Sequence, residues 1–94
     1  MFTVFGYDSS IHKCVFCDNA KRLLDVKKQE YAFINVMPEK GVFDEVVISD
    51  LLRRLGRESQ VGLTMPQIFA PDGTHIGGFD ELRKFKFNAW LSWN

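Results

Sequence analysis

Hydrophobic and polar positions change their period along this chain, and each change marks an element. Phe2-Thr3-Val4-Phe5-Gly6-Tyr7 is a β-branched and aromatic run that stops at the turn-prone Asp8-Ser9-Ser10, which predicts a buried strand. A short loop, Ile11-His12-Lys13, delivers the chain to Cys14. From Cys14 to about Lys28 the period becomes helical: Cys17, Ala20 and Leu24 fall at i, i+3 and i+7, and Phe16, Ala20 and Leu23 at i, i+4 and i+7. Asp18 in the first turn and Lys27-Lys28 in the last suit the helix dipole. Tyr31-Ala32-Phe33-Ile34-Asn35-Val36 predicts a second strand, ended by Met37-Pro38. Strand, helix and strand in that order imply a right-handed parallel crossover.

A second helix is expected from about Val42 to Leu55, with Val47, Ile48, Leu51, Leu52 and Leu55 on one face and Gly56 as its C-cap. Arg57 to Thr64 is a polar connection. Pro66 to Ala70 and Thr74 to Gly77 read as an antiparallel hairpin, because Pro71-Asp72-Gly73 supplies a fixed φ, a local acceptor and a residue free to turn. A third helix is expected to begin near Phe79-Asp80 and to carry Leu82, Phe85, Ala89 and Trp93 on one face. Phe87, Trp90 and Leu91 fall off that stripe. The tail from about 87 to 94 is read as an extension of this helix, through packing or a self-association patch. The order is β-α-β-α-β-β-α, an α/β chain, with residues 1–94 as one domain and no repeat or linker.

Composition narrows the function. The formal net charge of the 94 residues is zero and 46% are hydrophobic, enough for one core with a thin stability margin. Neutrality argues against nucleic acid or an anionic membrane as partner, since counterion release needs a concentrated basic face. No stretch nears the roughly twenty apolar residues of a membrane span. Met1 to Gly6 lacks the charge and apolar length of a secretory leader, so a reducing cytoplasm is expected. In that compartment a lone disulfide is more often transient and catalytic than structural.

Cys14 and Cys17 are the only cysteines. At i and i+3 on a first helical turn they share a face, which brings their α-carbons within the roughly 4.4–6.8 Å a disulfide requires. A Cys-x-x-Cys beside a βαβ pattern reads as a thioredoxin-like redox motif. Unpaired backbone N–H groups, the dipole and Lys13 all favour a thiolate at Cys14; such thiols titrate from about 3.5 to 7.5, against about 8.5 for free cysteine. Cys14, at the helix tip, is expected to face water and attack a disulfide; Cys17, on the inward stripe, then resolves the mixed disulfide. Two bland readings stand beside this one. Inert core filling explains Cys17 but not Cys14, and zinc would have to recruit His12 and the distant His75 to complete four ligands.

From Phe2 to about Phe85 the chain resembles the glutaredoxin family, most closely its small bacteriophage members. The resemblance rests on Tyr7-Asp8-Ser9, on His12 through Lys21, on Met37 through Gly41, on Gly62-Leu63-Thr64-Met65-Pro66-Gln67 and on His75 through Asp80. It implies the thioredoxin/glutaredoxin fold, a four-stranded mixed β-sheet flanked by three helices. It also implies a monomeric dithiol reductase without a resident cofactor, using glutathione as reductant. For phage members it implies supply of electrons to ribonucleotide reductase, with thioredoxin reductase as another source. The family pattern makes the Met65-Pro66 bond cis, so that the Met65 backbone pairs with an extended substrate. The residues alone suggest only a strand-initiating proline. Gly77-Gly78-Phe79-Asp80 resembles the segment that holds the glutamyl end of glutathione, by close backbone approach, helix N–H groups and a carboxylate for the ligand's ammonium; alone, Asp80 reads as a helix N-cap. By the same resemblance Thr64 completes the groove, Tyr7 and Phe16 wall the site, and Lys13 or His12 meets the glycyl carboxylate.

Two departures matter. Many members carry proline and tyrosine between the cysteines, where this chain has Val15 and Phe16. Reduction potential therefore does not transfer, and an obstacle to iron–sulfur ligation is gone. Two alternatives to a glutaredoxin follow: a thioredoxin-like reductase fed by a flavoprotein, and a metal- or cluster-holding module.

Overall fold

The strand that opens the chain, β1 (Phe2–Gly6), is the one on which everything else is laid. In the computed structural model, which describes residues 1–87, four of its five residues are buried and only Thr3 is partly exposed. Burial on both faces is why the run shows no polar alternation. Phe2 and Val4 point to one side, into a cluster with Ala20, Leu24, Ile68 and Leu82. Phe5 points to the other, against Val36, Ile48, Leu51 and Phe69.

Six further elements follow: α1 (Val15–Val26), β2 (Tyr31–Asn35), α2 (Glu45–Leu55), β3 (Gln67–Phe69), β4 (His75–Gly77) and α3 (Phe79–Arg83). The sheet order is β2-β1-β3-β4, with β1 and β2 parallel and β3 antiparallel to both β1 and β4. Helices α1 and α3 cover the Phe2–Val4 face, and α2 covers the other. This is the mixed four-stranded sheet with three helices expected above.

The expected boundaries shift where a cap intervenes. Cys14 is the N-cap of α1 and not its first helical residue. The helix ends at Val26, so Lys27 and Lys28 lie beyond its last turn, Lys28 with a φ of 57°. α2 begins at Glu45, because the Asp44 carboxylate accepts the N–H groups of Val46 and Val47 at 3.0 and 3.1 Å. Val42, expected inside the helix, stays outside it and exposed. Gly56 closes α2 in the left-handed conformation, as expected. The hairpin turn is held by Gly73 N–H to the Ala70 carbonyl at 2.9 Å and by Ala70 N–H to Thr74 at 2.8 Å.

The third helix departs furthest from expectation. It ends at Arg83, and the chain then folds back so that Phe87 is buried against Phe2 and Phe85, with ring centroids 5.6 and 5.0 Å apart. Phe87 falls off the apolar stripe expected of a longer helix, and that helical count has no meaning once the helix has ended at Arg83. Ala89, Trp90, Leu91 and Trp93, on which the reading of a longer helix rested, lie outside the described residues.

At the end of β1 the absence of a side chain sets the spacing between layers. A methyl group on Gly6 would lie 2.8 Å from the Cys17 sulfur and 3.2 Å from the Phe33 ring. Gly6→Ala is therefore expected to lower stability by roughly 1–3 kcal/mol, the usual result of overpacking. Urea unfolding of the oxidised protein measures it, and an unchanged midpoint would remove the packing argument.

Candidate active site

Between β1 and α1 the loop is tied down residue by residue. The Asp8 carbonyl accepts the N–H groups of Ile11 and His12, both at 2.9 Å. Its carboxylate accepts Ser10 N–H at 2.9 Å and the Ser10 hydroxyl at 2.7 Å. Those bonds, the hydroxyl's first, hold the Asp8 carboxyl below its ordinary pKa. Ser9 links the loop to the helix: its hydroxyl donates to Asp18 at 2.7 Å and accepts the Cys14 N–H at 3.3 Å. Asn35, at the end of β2, accepts the N–H groups of Asp8 and Met37. A polar loop of eight residues is thereby made to deliver Cys14 to one position.

Cys14 and Cys17 form a disulfide, with α-carbons 5.2 Å apart. Cys17 has no exposed surface and lies against Gly6, where its sulfur also receives the Tyr7 N–H at 3.5 Å. Cys14 retains 9% exposure, less than expected of a thiol facing water. It caps α1 through its sulfur, which accepts the Cys17 N–H at 3.1 Å. Donation from the helix start to this sulfur favours its thiolate in the reduced protein. Cys17 is thus fully sheltered and Cys14 sits at the helix tip, with the difference in exposure between them smaller than expected.

A groove of about 220 Å³ is lined by Phe16, the residue just before Cys17, together with Thr64, Met65, Pro66, Gly78, Phe79, Asp80 and Glu81. Seven of the ten residues expected to meet substrate thus come together from three separate parts of the chain. Phe16 is largely exposed and faces Phe79, the ring centroids being 6.5 Å apart. The Met65–Pro66 bond is cis. The Thr64 carbonyl is held by the Gln67 amide at 2.7 Å, and that amide's oxygen meets His75 Nε2 at 2.8 Å. His75 is therefore occupied in the hairpin, away from the cysteines.

The other three expected residues lie elsewhere. Tyr7 meets His12 edge to face, with centroids 4.6 Å apart, and faces Phe43 across 6.3 Å. It lines a separate, smaller pocket with Met65. His12 and Lys13 are exposed and line neither cavity. Asp80 is not the N-cap: Gly78 holds that position, and Asp80 pairs with Arg83 at 3.2 Å on the surface. Glu81 is a groove residue that the sequence reading passed over. Its carboxylate accepts the Gly78 N–H at 2.8 Å and packs where a Gly77 side chain would stand, Gly77 having a φ of 121°. Glycine followed three places on by glutamate at a helix start was the available signal. Among the described residues no three His, Cys, Asp or Glu side chains gather to hold a metal.

A family model described as Glutaredoxin matches residues 1–76. The chain is 72% identical, over 85 residues, to the glutaredoxin of Enterobacteria phage T4, covering 90% of this chain and 98% of that protein. Among solved structures it resembles the buckwheat glutaredoxin–glutathione complex, with a TM-score of 0.64 at 26% identity over 95% of this chain and 69% of the other. It also resembles reduced Escherichia coli glutaredoxin, with a TM-score of 0.57 at 26% identity over 99% and 94%.

In the reduced protein, iodoacetamide at neutral pH is expected to alkylate Cys14 at least about tenfold faster than Cys17, given thiolate stabilisation at the helix tip and shelter beneath β1. Peptide mapping over a time course reads both rates; equal labelling would end the division of roles.

Proposed function

The chain belongs to the glutaredoxin family and is a thiol–disulfide oxidoreductase, and from that premise we propose that it is a dithiol enzyme that draws its electrons from glutathione. The observation that carries this reading is the joining of Phe16, which lies between the two cysteines in the chain, with Thr64–Pro66 and Gly78–Asp80 in one groove. The Cys14 thiolate attacks a substrate sulfur, one substrate thiolate leaves, and a mixed disulfide remains on Cys14. The Cys17 thiolate then attacks the Cys14 sulfur and releases the second substrate thiol. Two electrons pass from the protein dithiol to the substrate, leaving the Cys14–Cys17 disulfide. Two molecules of glutathione reverse the sequence and leave as glutathione disulfide.

Glutathione fits the groove by chemistry. The N–H groups of Phe79 and Asp80 open α3 and have no carbonyl one turn back to accept them, so they suit the glutamyl carboxylate. Asp80 suits the ammonium. The Met65 backbone suits the cysteinyl residue, paired like an added strand. Gly78 N–H is already engaged by Glu81, so it is not counted among the donors. His12 and Lys13 are proposed to meet the glycyl carboxylate as the ligand's far end passes the loop. We assign ribonucleotide reductase as the protein served, on the strength of the likeness to phage members. The enzyme is proposed to act as a monomer without a resident cofactor, in the cytoplasm of a phage-infected cell. Thioredoxin reductase is the second electron source to be compared.

Cys17→Ser, incubated with glutathione disulfide, is expected to hold one glutathione on Cys14, and Cys14→Ser to lose turnover altogether. Intact mass and peptide mapping decide this; adducts of equal amount at both positions would defeat the assignment. Asp80→Asn should raise the KM for glutathione two- to fivefold, which is what an exposed ion pair of about 0.5–1 kcal/mol amounts to. Faster turnover with thioredoxin reductase than with glutathione and its reductase would move the enzyme to the other electron source.

A further inference from the structure

Met65 stands between two cavities. On one side is the groove it shares with Phe16, Phe79 and Asp80. On the other is a pocket of about 80 Å³ lined by Tyr7, Phe43, Ile48, Gln60, Leu63 and Met65. The exchange chemistry makes no use of this second space. Phe43, Ile48, Leu63 and Met65 give it apolar walls, Tyr7 and Gln60 add polar surface, and no charged side chain lines it. Val42 and Val61, next in sequence to Phe43 and Gln60, are 51% and 80% exposed. Single exposed valines are ordinary; an uncharged pocket with four apolar walls joined to a redox centre is less so. Two links join them. Tyr7, which forms one wall, donates its N–H to the Cys17 sulfur at 3.5 Å, and Met65 is common to both cavities.

We propose that this pocket is a side-chain subsite for protein disulfides, filled by an aliphatic side chain one or two residues from the cysteine that Cys14 attacks. The proposal rests on the reading of Met65 as the backbone that pairs with substrate. An extended peptide paired there sends successive side chains to opposite sides. One side leads toward the groove and the other toward the pocket. The volume suits an aliphatic side chain. A charged one would be desolvated with no opposite charge in the walls to meet it. Glutathione, held in the groove by its glutamyl end, does not need the pocket. The subsite therefore separates protein disulfides from small ones on a single redox centre.

The test uses the full chain, reduced beforehand, in single turnovers against disulfide-linked peptides. Each peptide carries one cysteine in an alanine background, and leucine replaces alanine at each of the two positions on either side. The protein dithiol supplies both electrons, so no glutathione is required. At one position at least, leucine should raise the rate constant about tenfold or more, in the range that methylene groups contribute in an apolar pocket. Gln60→Phe, a change at an exposed position, and Leu63→Phe should each reduce that ratio to near one while the rate with the all-alanine peptide stays the same. Wild-type ratios within twofold at every position would overturn the proposal. So would discrimination that survives Gln60→Phe, which remains informative if Leu63→Phe does not fold. Sedimentation that shows a dimer dissociated by Gln60→Phe would also overturn it, since a second copy would then be the occupant. Leucine discrimination in a protein that fails to react with glutathione disulfide would sink the glutathione reading and leave the subsite standing.

Discussion

The first turn of α1 is pressed against the bare end of β1, and the rest of the site depends on that contact. Gly6 has no side chain, so the Cys17 sulfur can lie where a methyl group would otherwise be. The Tyr7 N–H reaches the same sulfur from the strand's continuation. With Cys17 pinned beneath the strand, helical geometry leaves Cys14 at the tip, and Ser9 fixes its backbone from the loop side. The unequal shelter of the two sulfurs therefore arises from packing, because both belong to the same short stretch and carry the same functional group.

Around this centre the polar groups are satisfied locally and weakly, which suits a surface that must exchange partners. Asp80 pairs with Arg83, and both side chains are well exposed. Such pairs contribute about 0.2–1 kcal/mol. Glu81 closes the turn at Gly78. The groove thus keeps its shape through short-range bonds within one loop and one helix start. The Thr64–Pro66 segment that lines it is tied by Gln67, which is buried at the sheet and donates to the Thr64 carbonyl.

Much of this was legible along the chain. Element order, the strand-to-helix position of the two cysteines, the Gly56 cap and the hairpin turn all follow from local patterns. Where the reading slipped, a side chain competed for the backbone: Asp44 delayed the start of α2, and Cys14 itself became a cap. Glu81 was overlooked because its role is to bond a backbone group three residues earlier, and apolar periodicity does not register that. Phe87 was misplaced because the helical count was carried past the point where α3 ends.

The sequence by itself determined that a dithiol would sit at a helix start after a buried strand, since the i, i+3 spacing, hydrophobic period and turn chemistry are all short-range. Only the tertiary structure decided what surrounds those sulfurs. Phe16, Thr64–Pro66 and Gly78–Glu81 meet in one groove, while Tyr7 turns to Phe43 on the far side of Met65. Those neighbourhoods are set by strand register and by the packing of α1 and α3 on one face and α2 on the other, and no local stretch of sequence encodes which distant residues will share a cavity.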